Sequence, residues 1–241
     1  MHSSRDRRVG VVGIVVAVVA VAGVLSAQDD KKAVTQMHEH LSQVATLDYA
    51  VIRGDVEDAT AAAKAIAAGL SMAGLPPAAE KYVNELRAAA NAAAAATDLK
   101  AAAAGAGTLQ AACGNCHQGL GHAVKMGAAD KVDGALSTRL RMREHAWSVE
   151  ALAKGLQGPS DEHWKQGADS MKKARVIKVQ LKDPQLTAEI NAAEDAFRKV
   201  GDKARDAKDP AARAAVYGEI LNTCGHCHSL QGRVFGPAAP Q

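Results

Sequence analysis

Apolar side chains return at three- and four-residue intervals through most of this chain, the spacing that gathers them on one face of an α-helix. Val34, Met37, Leu41, Val44 and Val51 form one such stripe, read here as core-facing, and Met142, Val149, Ala153 and Leu156 form another. Gly, Pro and capping residues interrupt the pattern. In the first half the breaks fall at Gly54-Asp55, at Gly74-Leu75-Pro76-Pro77 and at Thr97-Asp98. In the second half they fall at Gly158-Pro159-Ser160, at Asp183-Pro184 and at Asp209-Pro210. Such residues stop one helix and start the next. They predict helices over 31–53, 55–73, 77–96 and 98–116, and then over 136–157, 160–182, 184–207 and 210–227. The chain is rich in Ala, and β-branched residues run together only near the N-terminus, which favours helix over strand. The expected fold is all-α: two tandem four-helix up-down-up-down bundles, over 28–117 and 136–228. A Gly-rich linker, 118–135, joins them, and 229–241 reads as an irregular tail.

The two halves are written alike. MHEHLSQVATLDYAVIRGD begins at Met37 and MREHAWSVEALAKGLQG at Met142; each opens M-x-E-H, continues as an apolar helical stripe and breaks at Gly. Each unit ends in CGxCH, at Cys113 and at Cys224. The offset is 105 at the start of the units and 111 at the cysteines, so the second unit carries six extra residues. Agreement at both ends, in the same order, reads as internal duplication.

The first 27 residues stand apart. Arg5, Arg7 and Arg8 precede an uncharged apolar run from Val9 to Leu25, and small residues at Ser26 and Ala27 precede Asp29 and Asp30. This order reads as an export signal. The run of about 17 residues is at the lower edge of what spans a bilayer, so an uncleaved membrane anchor through residues 9–25 is the alternative. The expected location is the periplasm or another exported compartment. Without residues 1–27, 26 Lys and Arg face 25 Asp and Glu. The two signs are interleaved, with no basic block to hold nucleic acid. Asp and Glu read as solvated helix faces, and the large apolar residues look sparse for two independent cores.

All four cysteines of the chain lie in the two C-x-x-C-H motifs. Three chemistries compete for them. Structural zinc would need Cys and His from both units. A disulfide oxidoreductase would sit in a βαβ setting, which this chain does not suggest. Covalent haem needs two thiols for two vinyl groups and a following His for the iron, the spacing found here. The motifs therefore assign Cys113, Cys116 and His117 to one haem c, and Cys224, Cys227 and His228 to another. Export and duplication favour haem, and a haem would also supply the apolar bulk that the alanine-rich interiors lack.

For the sixth iron position the repeated M-x-E-H offers Met37 or His40 in the first unit and Met142 or His145 in the second. In an up-down-up-down bundle the start of helix 1 lies at the end where helix 4 finishes. Met follows the apolar stripe, and Met also fills cores well; His is the stronger donor. Other histidines recur less well: Arg143 stands opposite His38 and Asn115 opposite His226, while His122 and His163 read as solvated. Trp147 and Trp164 read as packing residues near the second haem.

The two CxxCH motifs, each closing a four-helix pattern that opens with Met, resemble the class II c-type cytochromes, the cytochrome c-prime family and its six-coordinate relatives. The resemblance covers about 37–117 and 142–228, as a tandem di-haem version. It implies four-helix bundles with haem at the end of helix 4, and Met37 and Met142 as sixth ligands. The function expected is electron transfer between redox partner proteins, with no enzyme chemistry. A five-coordinate haem that binds or scavenges a gas such as nitric oxide or carbon monoxide is the alternative. Peroxidase activity, with His40 and His145 as distal acid–base groups, is a lesser one.

Overall fold

The computed structural model describes the backbone of residues 9–122, 124, 127, 138–174 and 178–235, and side chains over 31–122, 124, 127, 140–174 and 178–232. Among the described residues there are eight α-helices: α1 Val9–Arg53, α2 Val56–Gly69, α3 Glu80–Ala94, α4 Leu99–Gly119, α5 Thr138–Gln157, α6 Asp161–Lys173, α7 Pro184–Asp206 and α8 Pro210–Phe235. A 3-10 turn, Pro77–Ala79, leads into α3. The fold is all-α.

The helix starts follow side-chain chemistry. Asp55, Asp98, Ser160, Asp183 and Asp209 each accept a hydrogen bond from a backbone N–H two or three residues on, satisfying donors that a helix N-terminus leaves without partners. Pro184 and Pro210 occupy first helical positions, where no N–H is needed. Gly54, with φ of 77°, lets α1 end and α2 begin almost at once.

Four helix C-termini differ from expectation by three residues or more, α4 by running on through Gly119 into the expected linker. α2 stops at Gly69 because Leu70 turns extended, and Ser71 Oγ accepts from the Ala73 N–H. α6 stops at Lys173 rather than near 182. There the Asn191 amide serves both the Val179 N–H and its carbonyl, and Thr187 Oγ1 accepts from Leu181 N–H, so side chains of α7 replace a helical ladder. α8 continues through Phe235, so the first part of the expected irregular tail is helix; no Gly-Pro break occurs before Gly236-Pro237. Most of the linker expected at 118–135 lies outside the described residues, as does the tail beyond 235.

α1 is continuous from Val9. Among the described residues no helix is long and apolar enough to cross a membrane, and the side chains of 9–25 lie outside that description.

The helices pack in two groups, α1–α4 and α5–α8, consistent with two bundles. In each, every helix packs on its chain neighbours and the last closes on the first. The groups are not separate bodies: α4 lies along α8, α1 also reaches α8, and α4 also reaches α5. Small residues allow this. A Cβ on Gly107 would run into the Ala214 carbonyl, and one on Gly218 would stand 2.8 Å from the Ala103 carbonyl. Gly107 and Gly218 are equivalent in the two units, as are Ala103 and Ala214, so the crossing is reciprocal. One apolar core therefore runs through both groups, from Leu47, Val51 and Leu109 to Leu152, Ile220 and Leu221. This shared core supplies burial that neither alanine-rich half would reach alone.

The first stripe needs correction. Val44 and Val51 are buried, but Val34 is 55% and Leu41 47% exposed, and Met37 is half-buried. The buried face of α1 passes instead through Val44, Leu47, Asp48 and Val51.

Candidate functional site

The second motif opens on a cavity. α8 lines it with Thr223, Cys224, Cys227 and His228, α5 with Met142, His145, Ala146 and Val149, and α7 with Ala193, Glu194 and Phe197. Ile52, from α1 of the other unit, completes the wall. The enclosed part is about 100 Å³, smaller than a ligand-sized pocket of roughly 300–1,000 Å³, and Ala146 on its rim is exposed. The motif of α8 and the M-x-E-H start of α5 thus meet in one space, with both Met142 and His145 in its walls. His145 stacks on Phe197 with ring centroids 4.0 Å apart. Burial, with Arg141 and then His228 nearby, pushes its pKa down to about 4. The imidazole is therefore neutral near pH 7, the form that can donate to a metal.

Each motif histidine is tethered by the opposite unit. His117 Nδ1 lies 2.7 Å from the Gln157 carbonyl at the end of α5. A carbonyl only accepts, so Nδ1 carries the proton and Nε2 is left as the donor atom. His228 hydrogen-bonds the Ile52 backbone near the end of α1, while burial lowers its pKa. Gln157 and Ile52 are equivalent under the offset of 105. The glycine after each first cysteine makes the approach fit: a Cβ on Gly114 would run into the Leu156 carbonyl, and one on Gly225 into that of Val51.

In the first unit, Val44, Val83, Leu86 and Ala112 stand where Val149, Glu194, Phe197 and Thr223 line the second cavity, and all four are buried. Met37 is half-buried, and His40 Nε2 lies 3.5 Å from the Gly69 carbonyl. Leu41, exposed, corresponds to Ala146 on the cavity rim.

All four cysteines are free thiols. Burial pushes Cys113 and Cys224 up to about 12 and Cys227 to about 11, and raises Cys116 as well. Thiols held protonated lack the lowered pKa of a disulfide oxidoreductase. Among the described residues no group of three or more His, Cys, Asp or Glu gathers where it could hold a metal ion, as the zinc alternative would require.

Two buried carboxylates correct the reading of acidic residues as solvated faces. Asp48 is 9% exposed; its Oδ2 accepts from Gln110 Nε2 and from the Tyr217 hydroxyl, both at 2.7 Å. Gln157 Nε2 donates to Gln110 Oε1 at 2.6 Å, so the chain of bonds crosses both units. Burial pushes Asp48 up to about 6, against the lowering effect of its two donors. Glu194 in the second cavity pairs with buried Arg141 at 3.4 Å, and burial raises its pKa. Both were legible as charges on an apolar stripe: Asp48 sits between Val44 and Val51, Glu194 between Ile190 and Phe197.

Of the remaining candidates, His38, His122 and His226 are exposed, and half-buried His163 meets the Ser160 hydroxyl at 2.9 Å. Trp164 is buried and donates to the Ala204 carbonyl, and Trp147 is half-buried; the walls of the second cavity are built without either.

Comparison of the chain with protein-family models, with curated proteins and with solved structures gave no match.

Proposed function

We propose that this protein is an exported di-haem c-type cytochrome that carries electrons between redox partner proteins. One observation carries the proposal: the second CxxCH shares a cavity with Met142 and His145, the residues that the duplicated sequence nominates for the sixth iron position. The donor set fits a covalent haem. Cys224 and Cys227 are protonated thiols beside an apolar space, His228 is bonded to the Ile52 backbone, and His145 is neutral. In the first unit Cys113, Cys116 and His117 would hold the second group, with Met37 or His40 as the candidate further ligand.

When bound, haem iron alternates between its ferric and ferrous states and passes one electron at a time. The chain's own residues would do the rest. The cysteines would anchor, the tethers would hold both histidines in a fixed orientation, with Nε2 of His117 left as its donor atom, and Phe197, Val149 and Ile52 would line the second site with apolar surface. Resemblance to the class II c-type cytochromes rests on these motifs and on the helical bundle order.

The test is the exported protein produced with haem-attachment machinery. Its mass should exceed that of the chain by two haems, and its optical spectra should be low-spin and unchanged by carbon monoxide. Met142→Ala and His145→Ala then identify the second site's ligand, since only one should turn that site high-spin. A mass without haem would overturn the proposal. The exposure around Met37 favours a second reading for the first site alone, an open iron that binds a gas; there carbon monoxide would shift half of the spectrum.

A further inference from the structure

We infer that Asp48 is a proton-binding site coupled to the first motif, taking up a proton when an electron arrives there and releasing it when the electron leaves. The inference rests on the haem reading above and adds a chemical partner to it, the proton.

Asp48 lies on the buried face of α1 with its two oxygens in different situations. Oδ2 accepts two hydrogen bonds, from Gln110 of α4 and Tyr217 of α8, whereas buried Oδ1 has no hydrogen-bond partner. A proton on Oδ1 therefore disturbs neither bond. From Gln110 the chain continues to the Gln157 side chain, and the Gln157 carbonyl holds His117 Nδ1. Asp48 is thereby fixed relative to the first motif through four helices, and the Cys113 thiol lies within its electrostatic reach. The groups around it supply no counter-charge. α2 buries Ala59, Ala63 and Ile66, α4 presents Gln110 and Cys113, and α8 presents the Tyr217 hydroxyl. On its own helix, Arg53 is engaged by Asp55 and Asp58.

An electron added at the first site puts negative charge near a carboxylate already short of compensation in a poorly polarisable interior. Proton uptake by that carboxylate cancels the added charge. In the balanced step, an external one-electron donor supplies the electron and water supplies the proton, which ends on Oδ1 as a carboxylic acid; oxidation returns both. Because Asp48 ionises near pH 6 before any electron arrives, the exchange falls in a physiological range. The buried carboxylate of the second site, Glu194, differs in being paired with Arg141 at 3.4 Å, so its charge is already compensated. Ala153 stands where Asp48 does, Leu221 where Gln110 does and Ala106 where Tyr217 does. Coupling to protons is thus a property of one site of the two.

The experiment is a spectroelectrochemical titration of the haem-loaded full chain from pH 5 to 8, for the wild type, Asp48→Asn and Tyr217→Phe. Covalent mass is checked first. In the wild type the reduction equilibrium of one site should fall with rising pH, by at least about threefold over the range and at most about tenfold per pH unit, while the other stays flat. Both should be flat in Asp48→Asn. Tyr217→Phe removes a donor to the carboxylate, so the dependence should persist with its bend at higher pH. Reduced-minus-oxidised infrared spectra should show a protonated carboxyl band in the wild type that Asp48→Asn lacks. Haem present with both wild-type steps flat, or a dependence that survives in Asp48→Asn, overturns the inference and leaves the electron-transfer reading standing. Absence of covalent haem overturns both. Should Asp48→Asn fail to fold, an unmoved bend in Tyr217→Phe overturns the inference.

Discussion

Replacing Asp48 by Asn exchanges a buried carboxylate for a neutral group of nearly the same shape, and the consequence is a change in how stability depends on pH. Burial lifts the native pKa of Asp48 from the ordinary 3.8 to about 6. Between those values the native chain keeps a proton that the unfolded chain has released. Stability is therefore highest below about pH 4, falls as pH rises towards 6, and is level beyond, as far as this group decides it. Two units of pKa at about 1.4 kcal/mol each make the loss about 3 kcal/mol. The substituted amide would not titrate. Its nitrogen would stand where Oδ1 now has no partner, at a cost of about 1–3 kcal/mol that is the same at every pH. Urea unfolding of the full chain at pH 4 and pH 7, followed by circular dichroism and by tryptophan fluorescence, separates the two effects. The difference in stability between wild type and variant should shift by about 3 kcal/mol in the variant's favour on going from pH 4 to pH 7. Parallel curves for the two proteins across that interval would refute the reasoning, because they would mean that Asp48 ionises alike in the native and unfolded chains.

At the crossing of α4 and α8, Gly107→Val drives a side chain into the Ala214 backbone; thermal unfolding should show a loss near the upper end of the 1–3 kcal/mol typical of overpacking, about 3 kcal/mol. Arg141→Met leaves Glu194 charged and buried, and should cost about 3–5 kcal/mol in chemical denaturation, most of it recovered in the double variant Arg141→Met with Glu194→Leu. Cys224→Ser with Cys227→Ser should lower the mass of the loaded protein by one haem and spare the absorption of the first site. Equal loss at both sites would contradict the assignment of one group to each motif.

What the sequence made legible was local. Helix starts at Asp98, Ser160, Asp183 and Asp209 follow from one side chain and one or two nearby N–H groups, so a short window of residues contains the cause. The second cavity was legible through repetition, because Met142 and His145 are singled out by their likeness to Met37 and His40. Packing between the units was not legible. Gly107 and Gly218 look like weak points in a helix until α4 and α8 are seen to cross there. Asp48 stands out in the sequence only as a charge on an apolar stripe; what it bonds to appears once Gln110, 62 residues away, and Tyr217, 169 residues away, are brought to it. Such contacts depend on how two bundles dock, which no single helical stripe encodes. The exposure of Leu41 has the same origin: its counterpart Ala146 borders a cavity, so a position that reads as core by spacing lies on a rim.

The contacts between the units also explain which features of the duplication persisted. The offset is 105 along α1 and α5 and 111 along α4 and α8, so the six extra residues fall between α5 and α8. Three interface relations survive that insertion in reciprocal form. Gly107 and Gly218 form the crossing, Gly114 meets the Leu156 carbonyl as Gly225 meets that of Val51, and the tethers of His117 and His228 come from equivalent carbonyl-bearing positions. In each case a helix of one unit is completed by the other, so a half-chain would lack the group that orients its own motif histidine. Buried carboxylates differ between the units, with Asp48 against Ala153 and Glu194 against Val83. Glu194 lies in the wall of the second cavity, and Asp48 sits at the interface itself, held by Gln110 and Tyr217. Duplication with a shared interface thus leaves the two motifs alike in their backbone tethers and distinct in the buried charges near them, which on the proposed haem reading would give the two sites different potentials.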